Sequence, residues 1–379
     1  VRQKEITKNL RQGEPDFYET RCVYNADGQL LRQIQPEGDI INYAYDQNNG
    51  SRFAQGNRLE GQLLADSDRG GDQAQLQNKT FYEPIYQQVS RLVDPRGVDP
   101  NFVPDLADPL GRSNENRYST RYFFDYQEGD ASIVLPQLAT ELGVSVTEVQ
   151  TQLNQAGVQL GLGDLNQDGV ISTSIAGNVV KAVAPPVVLL PGSIQAQIER
   201  DQLQDIVTLY RYNQFGQQTS MVDAEGNIHL YEYFAENDPD GDGTLTIAPT
   251  DERLLDSTTG GYLAREMHDA GHLRGSNNYI DVAPTQIQRT YTYDEVGNVT
   301  SETDGRGIRT DYVVNELNQV VRTIRAAVVP DDGIDEPLAL EAFSYIEDVE
   351  YDANNNIIAR RIEDRGNTSN TGGFVDFTY

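Results

Sequence analysis

Two short acidic stretches hold the residues best suited to chemistry. In Gly163-Asp164-Leu165-Asn166-Gln167-Asp168-Gly169-Val170-Ile171, side-chain oxygens recur at alternate positions: Asp164, Asn166 and Asp168. Asp238-Pro239-Asp240-Gly241-Asp242-Gly243-Thr244-Leu245 repeats that spacing with Asp238, Asp240 and Asp242. Alternate oxygens converge on one point when a following glycine lets the chain turn sharply. The next backbone carbonyl, that of Val170 or Thr244, then faces the same point. Hard oxygen donors of this kind suit calcium. Ile171 and Leu245 are expected to anchor the two loops, and Ser172 and Thr246 stand where ligation often runs through water.

Each stretch resembles the first half of an EF-hand loop. Both depart from that pattern at its twelfth position, where Ile175 and Pro249 replace the expected bidentate Glu. The likeness is therefore closer to the short calcium loops of extracellular bacterial proteins, and it implies weak sites.

Other reactive constellations are sparse. Histidine occurs only at His229, His268 and His272, and the last two are four apart with Glu266 close by. That is half of a zinc pattern without a third ligand, and it reads as a surface loop. No Ser-His-Asp order, phosphate loop or cysteine ligand set is present, so an enzyme is not expected. Cys22 is alone, so the sequence has no internal disulfide.

The elements that must carry the acidic loops show themselves as a repeat. Arg289 to Arg325 reads RTYTYDEVGNVTSETDGRGIRTDYVVNELNQVVRTIR. Tyr291-Thr292-Tyr293-Asp294 leads to Gly297 and then Gly307, and Val314-Asn315 takes up the Tyr-Asp place again. Tyr24-Asn25 with Gly28 and Gly38, and Tyr212-Asn213 with Gly216 and Gly226, keep the same spacing. Tyr351-Asp352 starts a further copy with Asn355 in the glycine place. Alternating residues ending in Tyr-Asp, then a turn closed by Gly or Asn, describe a β-hairpin. One hairpin cannot stand alone, so successive hairpins are expected to pair into a long sheet with the tyrosines packed between them. On that reading, Tyr293→Ala removes about 3–5 kcal/mol of stability.

The unit resembles the RHS, or YD, repeat of bacterial RHS proteins, of the C components of Tc toxins and of teneurin ectodomains. The resemblance covers 20–46, 86–125, 206–233, 289–325 and 349–379, with insertions between. It implies a mainly β fold, in which YD hairpins form a long spiralling, shell-like sheet. It implies a scaffold that encloses a toxin or other protein cargo or, in the teneurin manner, an adhesive surface whose insertions bind a cell-surface ligand. Asp108-Pro109-Leu110-Gly111 resembles the RHS self-cleavage motif, but Arg112 follows where Leu is expected, and no protease role is assigned to it.

At 379 residues the chain carries a formal charge of −30. Such a charge opposes nucleic-acid binding and favours solubility and cation binding. No apolar run is long enough to span a membrane. The sequence divides into repeats with loop insertions at 1–125, an insertion at 126–205 and further repeats at 206–379. It begins with Val and breaks off in a Tyr-rich strand, so it is expected to be a fragment of a longer polypeptide, and the resemblance implies a secreted or surface-exposed bacterial protein. Within the insertion, Ile133, Leu135, Leu138 and Leu142, then Val146, Val149 and Leu153, recur at helical spacing. Gly143 separates two short helices, and Ser145 with Glu148 caps the second.

Overall fold

Strands form where aromatic and β-branched residues alternate, and each ends on the same kind of turn. In this computed structural model the described residues are 2–6, 16–36, 38, 40–45, 59–63, 77–104, 108, 111–187, 204–241, 260–272, 286–326, 344–364 and 373–378. They fall into two units, Val1–Tyr210 and Arg211–Tyr379.

The first unit is an antiparallel meander. Its strands are β1 (Arg2–Ile6), β2 (Phe17–Tyr24), β3 (Leu30–Ile34), β4 (Ile40–Tyr45), β5 (Leu59–Leu63), β6 (Gln77–Tyr82), β7 (Val89–Val93), β8 (Ser119–Phe124), β9 (Val179–Val187) and β10 (Gln204–Tyr212). Each pairs with the next in sequence. Short helices α1 (Pro95–Val98) and α2 (Asn114–Arg117) lie between β7 and β8. The longer helices α3 (Ala131–Leu142) and α4 (Val146–Gln155) lie between β8 and β9.

The second unit continues the pattern. It holds β11 (Gln218–Val222), β12 (Asn227–Ala235), β13 (Gly260–His272), β14 (Ile287–Tyr293), β15 (Val299–Thr303), β16 (Arg309–Val314), β17 (Val320–Ala326), β18 (Ser344–Tyr351), β19 (Ile357–Asp364) and β20 (Gly373–Thr378). Here too every strand is antiparallel to its successor. The fold is mainly β and built of hairpins, with one small helical insertion.

The turn that closes these hairpins has a fixed chemistry. In β14–β15, the carboxylate of Asp294 accepts the N–H of Val296 at 3.1 Å and of Asn298 at 2.8 Å. Its other oxygen accepts the Asn298 side-chain amide at 2.8 Å. Asp223 and Asp352 repeat this with Asn227 and Asn356. Where the turn opens with Asn, at Asn25, Asn213 and Asn315, the residue four on is Gln29, Gln217 or Gln319, and its carbonyl takes the Asn amide. Two N–H groups that the bend would leave unmatched are thereby satisfied from one side chain. Gly297 has φ +91° here, and a methyl group at that position would meet the Tyr262 ring, so glycine is required on both counts.

The residue just before many of these turns sits at a register shift, as at Tyr24, Tyr45, Tyr82, Phe124, Tyr293, Val314 and Tyr351. Such bulges increase twist and re-aim the side chain. The hydroxyls of Tyr45, Tyr233, Tyr293 and Tyr351 donate to the carbonyls of Leu30, Gln218, Leu263 and Val320, at or near the start of the preceding strand. These tyrosines are half-buried, so they latch neighbouring strands together rather than fill a closed core.

The fully buried apolar cluster surrounds the helical insertion. Ile85, Phe124 and Tyr126 pack against Val134, Leu135, Leu138, Ala139, Val149 and Leu153. Phe124 and Tyr126 stack with ring centroids 5.7 Å apart. The buried face of α3 is thus rotated from the expected stripe. Ile133 and Val146 face outward, and Val134 and Ala139 take the inner positions. Gly143 ends α3 at φ 63°, and the Ser145 hydroxyl accepts the Glu148 N–H at the start of α4.

Candidate functional site

The insertion grows out of a single turn. Phe124-Asp125 holds the place of Tyr293-Asp294, and Gly177-Asn178-Val179 the place of Gly297-Asn298-Val299. Asp125 N–H donates to the Asn178 carbonyl at 2.9 Å, as Asp294 N–H does to Asn298. The Asn178 side-chain amide reaches the Asp125 carboxylate at 3.3 Å, across a separation of 53 residues in place of 4. Everything between, both helices and the first acidic loop, is contained within one closed turn of the sheet. That Gly-Asn-Val match was the sequence signal for the root, and a separation so long hid it.

Buried carboxylates hold the insertion down. Glu83, which stands in the turn-opening place after Tyr82, is wholly buried. It accepts N–H groups from Ile85, Tyr86 and Gln88 and the Tyr126 hydroxyl at 3.0 Å. Asp125 accepts the N–H of Tyr126 and Gly177 and the hydroxyl of Ser174. Glu128 accepts Leu165 N–H and Ser172 N–H, both at 3.0 Å. Burial pushes the carboxyls of Asp125 and Glu128 above their ordinary range, and these donors only partly offset it. Burial also pushes the phenol of Tyr86 up to about 12. That hydroxyl donates to the Ile175 carbonyl. Buried carboxylates that accept several backbone N–H groups and neighbouring hydroxyls fasten the segments around them.

The first acidic loop sits on this fastening. Asp164 accepts the N–H of Asp168 at 3.1 Å and of Gly169 at 2.9 Å, Asn166 accepts Asp168 N–H, and Asp168 accepts Val170 N–H. Asp164, Asp168 and Val170 are exposed and Asn166 is buried. Ile171 is 57% exposed, so it is not the expected apolar anchor. The buried side chain of Glu128 anchors the loop instead, gripping it at Leu165 and Ser172 through partly buried hydrogen bonds. Ile175, in the place of the missing Glu, packs against the core cluster. That explains its apolar character: the position docks the loop rather than ligates. Two carboxylates, one amide and the Val170 carbonyl are the oxygen donors this loop could offer calcium, and the three side chains accept the loop's own N–H groups here. Among the described residues no group of three or more His, Cys, Asp or Glu side chains gathers as a metal cluster.

In the second acidic stretch Asp238 and Asp240 are described, and Asp242 and Thr244 lie outside the described residues. Asp238 N–H donates to the Ala235 carbonyl and Gly241 N–H to that of Asp238, while the Pro239 carbonyl accepts Tyr262 N–H. Asp240 is buried, and Gly241, at φ +75°, lies under the Phe234 ring. The stretch is a tight turn docked on β13.

The histidines are on strands and not on a surface loop. His229 is on β12, His268 and His272 are on β13, and the pair that meets is His229 with His268. Asp108 is locked by Arg112, whose guanidinium also holds Asp205 of β10 at 2.7 Å.

No family model matches the sequence, and no curated protein does. Among solved structures, the chain is similar to a Tc holotoxin pore of Photorhabdus luminescens at 14% identity and a TM-score of 0.39, covering 100% of this chain and 15% of that one. It is similar to the TcdB2-TccC3 crystal structure at 14% identity and a TM-score of 0.34, covering 96% of this chain and 19% of that one. The complex of TcdB2, TccC3 and Cdc42 follows at 14% identity and a TM-score of 0.33, covering 94% and 15%. The chain thus spans less than a fifth of those chains' lengths.

Proposed function

We propose that this chain is a non-enzymatic scaffold of the RHS, or YD, type. In this reading it is secreted or displayed on a bacterial surface, with calcium bound to the loop its insertion carries. It forms part of a larger shell that encloses a protein cargo. The observation that carries the reading is the Asp125–Asn178 closure. The sheet keeps its hairpin geometry while a folded insertion hangs from one turn, as suits a carrier and not a reaction chamber.

The exposed apolar side chains agree with this. Tyr24, Phe81, Leu92, Tyr345, Ile357 and Phe377 each leave 37–46% of their surface accessible. A sheet with so much accessible apolar surface gains by having something cover it. The buried acids serve the backbone, which leaves the insertion's chemistry structural. The test is to image the full-length protein that contains this segment and to digest it with protease. A hollow particle holding a protease-resistant internal segment is the expected result. An open sheet with every segment cleaved at the same rate overturns the enclosing role and leaves an adhesive surface.

A further inference from the structure

We propose that His229 and His268 bind one divalent transition-metal ion of tetragonal preference, of the class of Cu2+ or Ni2+. The two residues stand on the adjacent strands β12 and β13, next to the paired residues Leu230 and Met267. The sheet widens beside them, where the register shifts between Ile228 and Leu230 and Asp269 adopts φ 51°. The bulge brings the two Nδ1 atoms to 3.0 Å, with the rings at 71° to each other.

That separation has a geometric meaning. Two nitrogens bonded to one ion at about 2.0–2.1 Å lie about 2.9 Å apart at a right angle and about 3.4 Å apart at a tetrahedral angle. The observed distance matches the right angle, which square-planar and octahedral ions use.

The far side of each ring supplies the second argument. His229 Nε2 is 3.6 Å from an Asp223 oxygen, and His268 Nε2 is 3.9 Å from Glu266 Oε2. Asp223 is fixed by the Asn227 amide at 2.8 Å. Glu266 is fixed through its other oxygen by the Tyr291 hydroxyl at 2.9 Å and by Arg289 at 3.2 Å. A carboxylate near Nε2 favours the proton there, as in the carboxylate–histidine pairs that orient metal ligands. Without an ion one Nδ1 donates to the other across 3.0 Å; with both protons on Nε2, the two Nδ1 lone pairs are free to converge on one ion set to the side of the line between them. The His268 side chain is 47% exposed, which leaves the ion a route in from solvent. Water would complete the coordination, so binding is modest in strength and does not extend to calcium or magnesium, which prefer oxygen donors.

The experiment is a Cu2+ titration of the whole chain followed by electron paramagnetic resonance. One equivalent is expected to show hyperfine splitting from two nitrogens. His229→Gln and His268→Gln should each weaken binding at least tenfold and remove one nitrogen from the spectrum, while His272→Gln leaves both unchanged. Circular dichroism melts confirm that each variant is folded, and thermal protection by Ni2+ in the parent but not in the double variant gives a second readout. A parent spectrum with oxygen donors only, or equal affinity in the His229→Gln/His268→Gln double variant, overturns the site.

Discussion

Tyr293 donates its hydroxyl to the Leu263 carbonyl at 2.8 Å, a bond that spans 30 residues of sequence and two neighbouring strands. Its ring lies against Tyr262, with centroids 4.9 Å apart, and against Phe234 at 6.3 Å. The ring is half-buried, so the full cost of a core deletion does not apply. Tyr293→Phe should remove about 1 kcal/mol, the net worth of one hydrogen bond. Tyr293→Ala should remove about 2–3 kcal/mol, less than the loss the sequence alone suggests. Urea melts of the two variants check this, and a Phe variant as stable as the parent rules the latch out.

Asp125 is the point where the insertion can be detached. Asp125→Ala strands the buried N–H of Gly177 and removes the acceptor of Tyr126 N–H and of the exposed Ser174 hydroxyl, at a cost of about 2–3 kcal/mol. Hydrogen exchange should show α3 and α4 opening while amides of β14 to β19 keep their protection. Equal loss in both regions would show that the insertion is not an independent body hung from the turn.

Asp125 and Glu128 should answer pH in the opposite direction from the turn acids Asp304 and Asp352. Asp125 and Glu128 titrate above their ordinary 3.8 and 4.5 because burial opposes their charge. The folded insertion therefore binds protons more readily than the unfolded chain, and its stability falls as pH rises through and above those values. Asp304 is held below 3.8 mainly by the N–H of Ile308, and Asp352 by the side chain and N–H of Asn356. Their contribution is present above that value and is lost as pH falls through it. Exchange protection of α3 and α4, corrected for intrinsic rate, should rise as the pH falls from neutral toward the ordinary 4.5 and 3.8 of these two carboxyls. The turns of the second unit should weaken near pH 3. A fall in insertion protection as the pH drops from neutral toward 4.5 contradicts the assignment.

Calcium at the 164–170 loop should raise the melting temperature. With a Kd on the order of 10⁻⁴ to 10⁻³ M, ~10 mM calcium contributes roughly 1.4–2.7 kcal/mol. Glu128→Gln should abolish the gain by releasing Leu165 and Ser172, although it touches no ligand. Melts in EDTA, in calcium and in magnesium at equal ionic strength provide the comparison. Identical curves leave the loop an acidic turn.

The hairpins were legible because their rules are local. A Tyr-Asp or Tyr-Asn step and a glycine three residues after the Asp or Asn announce the turn, and the register follows. The partner four residues on was present in the sequence too, as Asn after Asp and Gln after Asn. Its meaning emerged only when the side-chain amides could be seen meeting. What escaped the sequence is non-local. Asn178 answers Asp125 across a folded insertion, Glu128 replaces Ile171 as the anchor, and His229 meets His268 only because a bulge sets the register of β12 on β13. The outward rotation of Ile133 was hidden for a related reason, since periodicity gives the stripe of a helix but not the direction of its neighbour.

The tyrosine latches close loops of different length on the same contact. Tyr45 and Tyr233 span 15 residues, while Tyr293 and Tyr351 span 30 and 31. Doubling a flexible loop adds only about 0.6 kcal/mol of closure entropy, less than the roughly 1 kcal/mol of the hydrogen bond that closes it. A lineage can therefore splice segments of this size into the strand connections one at a time without ever crossing an unfolded intermediate. Diversity in such a chain should accumulate in length at those junctions long before it appears in the strands.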